Sequence, residues 1–250
     1  INGLFKDCKN LNTYYYVLEP SNYSRTILLS AGMNACELSP IFGLAYFIKG
    51  IMEENIYGFR DNTRFVVLPI ICPSSFNVVP KLYPNSNDVR INKNFSYKDS
   101  WNNVISDIIG TKGSYPDSEA ETLNLKKWLN CYDGADLWLD CHADLESEVP
   151  MLFQTILSHK ELIPKVESIQ NKLKDFYDIT EPYIIDNFVE PGDLFPKTLY
   201  AWEVHHIPSI MIEQWAGSTC YGASGKKQCE PASIRNYATM LAQYCLEGEI

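Results

Sequence analysis

The chain has 250 residues, of which 46% are hydrophobic, so it is long enough to bury a sizeable core in one α/β domain. Its formal net charge of -10 argues against binding to a phosphate backbone, because nucleic-acid binders need a basic face. The best candidate for a membrane span, at 41–52, contains Lys49 and is shorter than the roughly 18 residues that cross a bilayer. We therefore expect neither nucleic-acid binding nor a membrane span.

Apolar runs alternate with helical patterns along the chain, as expected for a sheet covered by helices. The first helix is predicted to have Ser39 as its N-cap and Pro40 in its first turn. Strands are predicted at 25–30, 64–71, 136–141 and 207–213, and helices at 40–52, 118–130 and 232–247.

Polar side chains follow three of these predicted strands. Asn34 and Glu37 come after the first strand, His142 lies just beyond the third, and Glu213 ends the fourth. Ligands of open α/β sheets bind beyond the carboxyl ends of the strands. The sequence therefore predicts one cleft in which amide, carboxylate and imidazole groups converge.

The cysteines leave the compartment undecided. Cys36, Cys72, Cys131 and Cys141 lie in apolar or motif segments, where reduced thiols of the core are expected. A second group, Cys220 and Cys229, flanks a Gly/Ser/Lys loop and would form a disulfide in an oxidising compartment.

Six short motifs, in order along almost the whole chain, resemble those of the M14 zinc carboxypeptidase family. The family's first metal motif, His-x-x-Glu after a glycine-rich strand exit, corresponds to Asn34-Ala35-Cys36-Glu37. The others correspond to Cys72-Pro73-Ser74-Ser75, to Asn92-Lys93-Asn94-Phe95, to the helix start Ser118-Glu119-Ala120-Glu121-Thr122, and to the strands that carry His142 and Glu213.

The resemblance implies a fold and a set of roles. The fold would be a single domain over residues 1–250, a three-layer α/β/α sandwich with a mixed central sheet of about eight strands. Zinc would be held by Asn34, Glu37 and His142, and Glu213 would act as the general base. Asn92 and Lys93 would meet the terminal carboxylate of the substrate. Residues Ser118 to Thr122 would serve the structure as a helix start.

Asn34 is the main departure from the family pattern, because an amide oxygen is a poorer zinc donor than imidazole. Three interpretations remain open. In the first, the amide is a weak ligand, as glutamine looks to be at this position in some peptidoglycan-trimming members of the family. In the others, a thiol of Cys36 or Cys141 takes its place, or the metal site is lost. We therefore expect zinc to bind weakly or not at all.

The substrate-binding positions also depart from the pattern. Lys93 stands where the family has an arginine, and it supplies a charge without the bidentate fork. The family's carbonyl-polarising arginine has no clear counterpart, because the segment between Ser75 and Asn92 is short by comparison. The nearest cations are Lys81 and Arg90. No tyrosine lies in the predicted substrate loop at 184–196, and Tyr183 and Tyr200 are marginal substitutes.

Three functions follow from these features. The leading hypothesis is a metallocarboxypeptidase-like hydrolase that trims peptides or peptidoglycan stem peptides. The alternative is a catalytically inactive module for binding or structure in a larger assembly, such as a cell envelope or a phage tail. A zinc-dependent small-molecule deacylase is third, because the 37 residues after Glu213 leave no room for the extra β module of those enzymes.

The start of the chain bears on its context. It begins at Ile1 without a methionine, and only 33 residues precede Asn34, fewer than in most family members. That start suggests a mature product, a trimmed chain or a piece of a longer polypeptide or assembly. Either the first elements are pared down or part of the domain lies upstream of Ile1. An extracellular, cell-envelope or virion location is favoured over the cytoplasm.

Overall fold

A computed structural model describes most of the chain, namely residues 3–77, 84–98, 100–103, 111–144, 153–177, 183–185, 196–215 and 231–247. Lys81, the greater part of the predicted substrate loop at 184–196, and both cysteines of the expected disulfide, Cys220 and Cys229, lie outside these ranges.

The strands of the described residues are β1 (Gly3–Lys6), β2 (Asn12–Leu18), β3 (Arg25–Ser30), β4 (Thr63–Leu68), β5 (Leu137–Asp144), β6 (Phe153–Leu157), β7 (Tyr183–Ile185) and β8 (Ser209–Trp215). They are hydrogen-bonded in the order β1-β2-β4-β3-β5-β8-β6-β7. The central four, β4, β3, β5 and β8, are parallel. Strand β2 runs antiparallel to both of its neighbours, whereas β6 is antiparallel to β8 and parallel to β7. The sheet is therefore mixed.

Helices fill most of the connections between these strands. They are α1 (Leu38–Glu54), α2 (Phe59–Asn62), α3 (Ile91–Asn94), α4 (Ser100–Asn103), α5 (Ala120–Cys131), α6 (Ile163–Tyr177), α7 (Pro196–His205) and α8 (Pro231–Glu247). Short 3-10 turns lie at Ile56–Gly58, Pro73–Asn77 and Lys160–Leu162. No helix within the described ranges combines the length and the apolar character needed to cross a membrane.

Hydrophobic side chains cover both faces of the sheet. Successive residues of a strand point to opposite faces, so Ile27 and Leu29 of β3 join one core while Leu28 joins another. The first core packs against α1, α6 and α8, and the second packs against α5 and α7. Strands buried on both faces in this way are typical of parallel sheets in α/β proteins, and the predicted α/β class is confirmed.

Several predicted boundaries need correction. The strand predicted at 64–71 ends at Leu68, because Pro69 cannot continue the hydrogen-bond ladder. The predicted N-cap, Ser39, lies inside α1, whose N-cap is Glu37 and has no side-chain capping bond. Cys131 is exposed at the end of α5 and is not a core thiol, whereas Cys36, Cys72 and Cys141 are buried as expected.

Candidate metal centre

Strand register brings His142 and Glu213 together. The two residues are direct partners on the parallel strands β5 and β8, so their side chains leave the same face of the sheet. The sequence pattern predicts His142 just beyond a strand end. The structure corrects this, because the pairing of β5 with β8 continues from His142 to Asp144 and keeps both residues within regular strands.

Asn34 and Glu37 reach the same place from β3, which pairs with the other edge of β5. His142, Glu37 and Glu213 each offer a ligand atom, and these atoms lie within 4.8 Å of one another. Asn34 Nδ2 donates to Glu37 Oε1 at 2.6 Å and lies 3.3 Å from His142 Nδ1. The four residues predicted to share a cleft are therefore neighbours, while the roles assigned to them stay predictions.

The atoms at the centre of this group fit a metal ion. Glu37 Oε2 lies 2.9 Å from His142 Nδ1, and both residues have only 1% of their surface exposed. Apart from this contact, Glu37 Oε2 is buried without a hydrogen-bond partner in the described part of the chain. Two buried acceptor atoms at this distance need either a shared proton or a cation between them. Carboxylate and imidazole are both ligands that zinc takes in proteins.

The described orientation of Asn34 does not present a ligand. Its amide nitrogen faces Glu37 and His142, and an amide nitrogen only donates hydrogen bonds. A half-turn of the amide would point Oδ1 at the same atoms. The thiols do not replace it, since neither Cys36 nor Cys141 is a member of the group. Cys141 packs in the core between β5 and α8, on the opposite face of the sheet from its neighbour His142.

A buried ion pair supports the other edge of the imidazole. Nε2 of His142 lies 3.1 Å from Asp140 Oδ2 and 3.0 Å from the ammonium nitrogen of Lys197. Lys197 also contacts Asp140 directly and Met33 Sδ at 3.5 Å. The side chains of Asp140, His142 and Lys197 are at most 1% exposed. Together with the contact between Nδ1 and Glu37, these contacts hold both nitrogens of the ring in place.

The charges of this cluster perturb its titration. Burial raises the pKa of Asp140, but the charges of Lys197 and His142 outweigh it and hold the pKa well below its usual value. For His142, burial and Lys197 lower the pKa, and the carboxylates of Asp140 and Glu37 outweigh both and raise it. Without metal, the imidazole therefore holds its protons tightly, and a metal ion at Nδ1 has to displace one.

Lys197 is a residue of the site that was not predicted from the sequence. It lies in the first turn of α7, fully buried, although a lysine near a helix start is usually exposed. Its partners are distant in sequence, with His142 55 positions away. No local pattern marks such a residue, because its burial depends on how α7 packs against the sheet.

The segment predicted to bind the substrate carboxylate is also buried. Asn92 and Lys93 lie in α3 with 5% and 1% of their surface exposed. The next residue, Asn94, fastens α3 to the start of α5, because its Oδ1 accepts from Glu119 N at 3.1 Å and from Thr122 Oγ1 at 2.8 Å. These bonds agree with the structural role expected for residues 118–122.

The two tyrosines considered as substitutes for a mobile substrate-binding tyrosine lie in regular elements. Tyr183 begins β7. Tyr200 lies in α7, and its ring packs edge-on against Phe95, Tyr97 and His205, with centroids 5.1 to 5.4 Å apart. A ring enclosed by three others cannot swing over a substrate, so Tyr200 does not fill that role in this arrangement.

No family model matches the chain, and no curated protein matches it. Solved structures do. Bovine thrombin-activatable fibrinolysis inhibitor, in complex with tick carboxypeptidase inhibitor, has a TM-score of 0.71 at 13% identity, covering 98% of this chain and 87% of that one. A metallo-carboxypeptidase from Burkholderia cenocepacia gives 0.65 at 13%, covering 97% of this chain and 62% of that one.

Carboxypeptidase A from Helicoverpa armigera is similar at a TM-score of 0.67 and 12% identity, covering 98% of this chain and 66% of that one. The chain thus spans less than two thirds of the length of the Burkholderia and Helicoverpa proteins. At these identities the likeness shows the fold alone, and that fold is the one of metallocarboxypeptidases.

The ion pair beneath His142 generates a stability prediction. Lys197→Met removes the ammonium group that contacts the buried carboxylate of Asp140, so we expect it to lower the free energy of unfolding by about 3–5 kcal/mol. The double variant Lys197→Met with Asp140→Asn removes both charges and should recover much of that loss. Urea unfolding followed by circular dichroism measures both values.

Lys49→Met is the matched control, because the side chain of Lys49 is 64% exposed and its pair with Glu53 lies on the surface. We expect this control to leave the free energy of unfolding essentially unchanged, because exposed ion pairs contribute little to stability. A Lys197→Met variant as stable as the control, or a double variant no more stable than Lys197→Met alone, would contradict the assignment.

Proposed function

We propose that the protein is a metallocarboxypeptidase-like hydrolase that uses zinc to remove C-terminal residues from peptides, including peptidoglycan stem peptides. One observation carries this proposal: Glu37, His142 and Glu213 place their ligand atoms within 4.8 Å of one another in a metallocarboxypeptidase fold. Beyond the shared α/β fold, the proposal includes a single three-layer domain with a sheet of about eight strands. The hydrophobic cores on both faces of the sheet support that description.

The residues that would hold zinc are Glu37 and Nδ1 of His142, with Asn34 as a third, weaker ligand through its amide oxygen. When bound, zinc supplies a Lewis acid and lowers the pKa of a water molecule. Asp140 Oδ2 would accept the proton on Nε2 of His142, which leaves Nδ1 free to bind the metal. Lys197 offsets the charge of Asp140 and holds that carboxylate in place.

Glu213 would act as the general base. It is partly exposed, unlike the ligands around it, and it lies directly opposite His142 on the neighbouring strand. From that position its carboxylate would take the proton of the attacking water and deliver it to the leaving amine. Asn92 and Lys93 would receive the terminal carboxylate of the substrate, Lys93 as a point charge rather than a fork.

One observation favours the alternative, a catalytically inactive module that binds without hydrolysis. The amide nitrogen of Asn34 bonds Glu37 and lies beside His142, so the cluster is hydrogen-bonded without any metal. Such a cleft would keep the polar character of Asn92 and Lys93 and bind carboxylates. The two experiments below separate the alternatives.

The first experiment concerns Asn34. Replacing its amide with imidazole adds a stronger zinc donor to the group, so Asn34→His should lower the Kd for zinc at least about tenfold, or about 1.4 kcal/mol. Calorimetric titration measures this affinity. Asn34→Ala is the control, since it removes the amide without adding a donor and should not tighten binding. Equal affinity in the native protein and Asn34→His would mean that position 34 does not face the metal.

The second experiment concerns Glu213. Glu213→Gln cannot accept a proton, so we expect turnover of peptides with free C-termini, muropeptides among them, to fall by about two orders of magnitude or more. Zinc content, measured in parallel, should stay unchanged if Glu213 is a base. Loss of zinc would assign it as a ligand instead. Native rates no higher than those of Glu213→Gln in excess zinc would favour the inactive module.

A further inference from the structure

A second cluster of potential metal ligands lies where the N-terminal hairpin meets α5. Cys8 is in the turn between β1 and β2, Glu119 precedes α5, and Glu121 is in its first turn. Their ligand atoms lie within 4.8 Å of one another. Glu119 and Glu121 are buried and Cys8 is partly buried. None of the three residues belongs to the group around His142.

Glu121 has a buried oxygen that lacks a partner. Its Oε1 accepts from the backbone N–H of Cys8 at 3.3 Å. Its Oε2 is buried and has no hydrogen-bond partner among the residues that the structure describes. A buried carboxylate oxygen left in this state costs folding free energy, unless a proton or a cation neutralises it. The cluster therefore contains one acceptor oxygen that the described residues leave without a hydrogen bond.

Other hydrogen bonds orient the ligand groups of the cluster. Glu119 Oε2 accepts from the side-chain amides of Asn85 and Asn87, at 2.7 and 2.9 Å. The thiol of Cys8 lies 3.7 Å from Ser74 Oγ. These neutral donors orient the carboxylate of Glu119, as the outer-sphere hydrogen-bond partners of metal ligands do.

The electrostatic environment of the cluster is anionic. Burial, followed by the charge of Glu121, raises the pKa of Cys8 to about 11. Burial also raises the pKa of Glu121, and the nearby Asp7 adds to that increase. A divalent cation would reverse both effects, because it favours the thiolate and the carboxylate over their protonated forms.

We propose that Cys8, Glu119 and Glu121 bind a divalent transition-metal ion, with zinc as the ion that suits one thiolate and two carboxylates. Zinc takes both ligand types, and an ion with three protein ligands would keep a fourth position for water. Binding releases the thiol proton of Cys8 to solvent, together with any proton on Glu121. The ion would cross-link the β1–β2 hairpin to the start of α5.

Cobalt(II) is the probe that tests this assignment. A thiolate ligand gives cobalt a charge-transfer absorption in the near ultraviolet, which the carboxylates and imidazole of the His142 group cannot give. We expect this band on titrating the native full chain with cobalt, and we expect Cys8→Ser to abolish it. Cys131→Ser is the matched control, because it removes an exposed thiol of α5 and should leave the band intact.

Glu121→Gln keeps the size of the side chain and removes its charge, so it should weaken cobalt binding at least about tenfold. This variant tests the assignment independently of whether Cys8→Ser folds. Zinc should also raise the unfolding temperature of the native protein more than that of Glu121→Gln, because an ion that binds only the folded state stabilises it. The absence of a band, a band that Cys8→Ser leaves unchanged, or equal affinity in Glu121→Gln would overturn the proposal.

Discussion

The in-register parallel pairing of β3, β5 and β8 is the constraint on which the site depends. Side chains alternate between the two faces of a strand, so Asp140 and His142 share one face while Cys141 enters the core on the other. A shift of one residue between strands would exchange those faces and bury the ligands against α1 and α8. The apolar residues that fill both cores therefore fix the register, and the register fixes the distance from His142 to Glu213.

Next to these paired strands lies a buried network of charged and polar side chains that hydrophobic packing alone does not explain. Trp138 Nε1 donates to Ser30 Oγ at 2.9 Å, and Ser30 donates to Asp140 Oδ1 at 2.7 Å. Lys197 completes the network from α7. Buried ion pairs rarely add stability over apolar residues of the same size, so their value here is geometric. They orient the ring of His142 so that its Nδ1 faces Glu37.

The sequence predicted the parts of the fold and site that depend on local patterns. The strand at 25–30 was located correctly, and the polar residues near three strand ends were expected to meet because parallel strands end at one edge. The hairpin of β1 and β2 and the buried position of Lys197 were not predicted, because no strong local pattern marks them. The hairpin has partly exposed strands, so its apolar alternation is weak, and the burial of Lys197 depends on contacts distant in sequence.

Anomalous diffraction at the zinc absorption edge, from crystals of the native chain grown with excess zinc, tests most directly whether Glu37 and His142 bind zinc. We expect a peak about 2.0–2.2 Å from both Nδ1 of His142 and an oxygen of Glu37. No peak at that position, with Glu37 Oε2 still in contact with Nδ1 and the amide nitrogen of Asn34 still facing both, would contradict it.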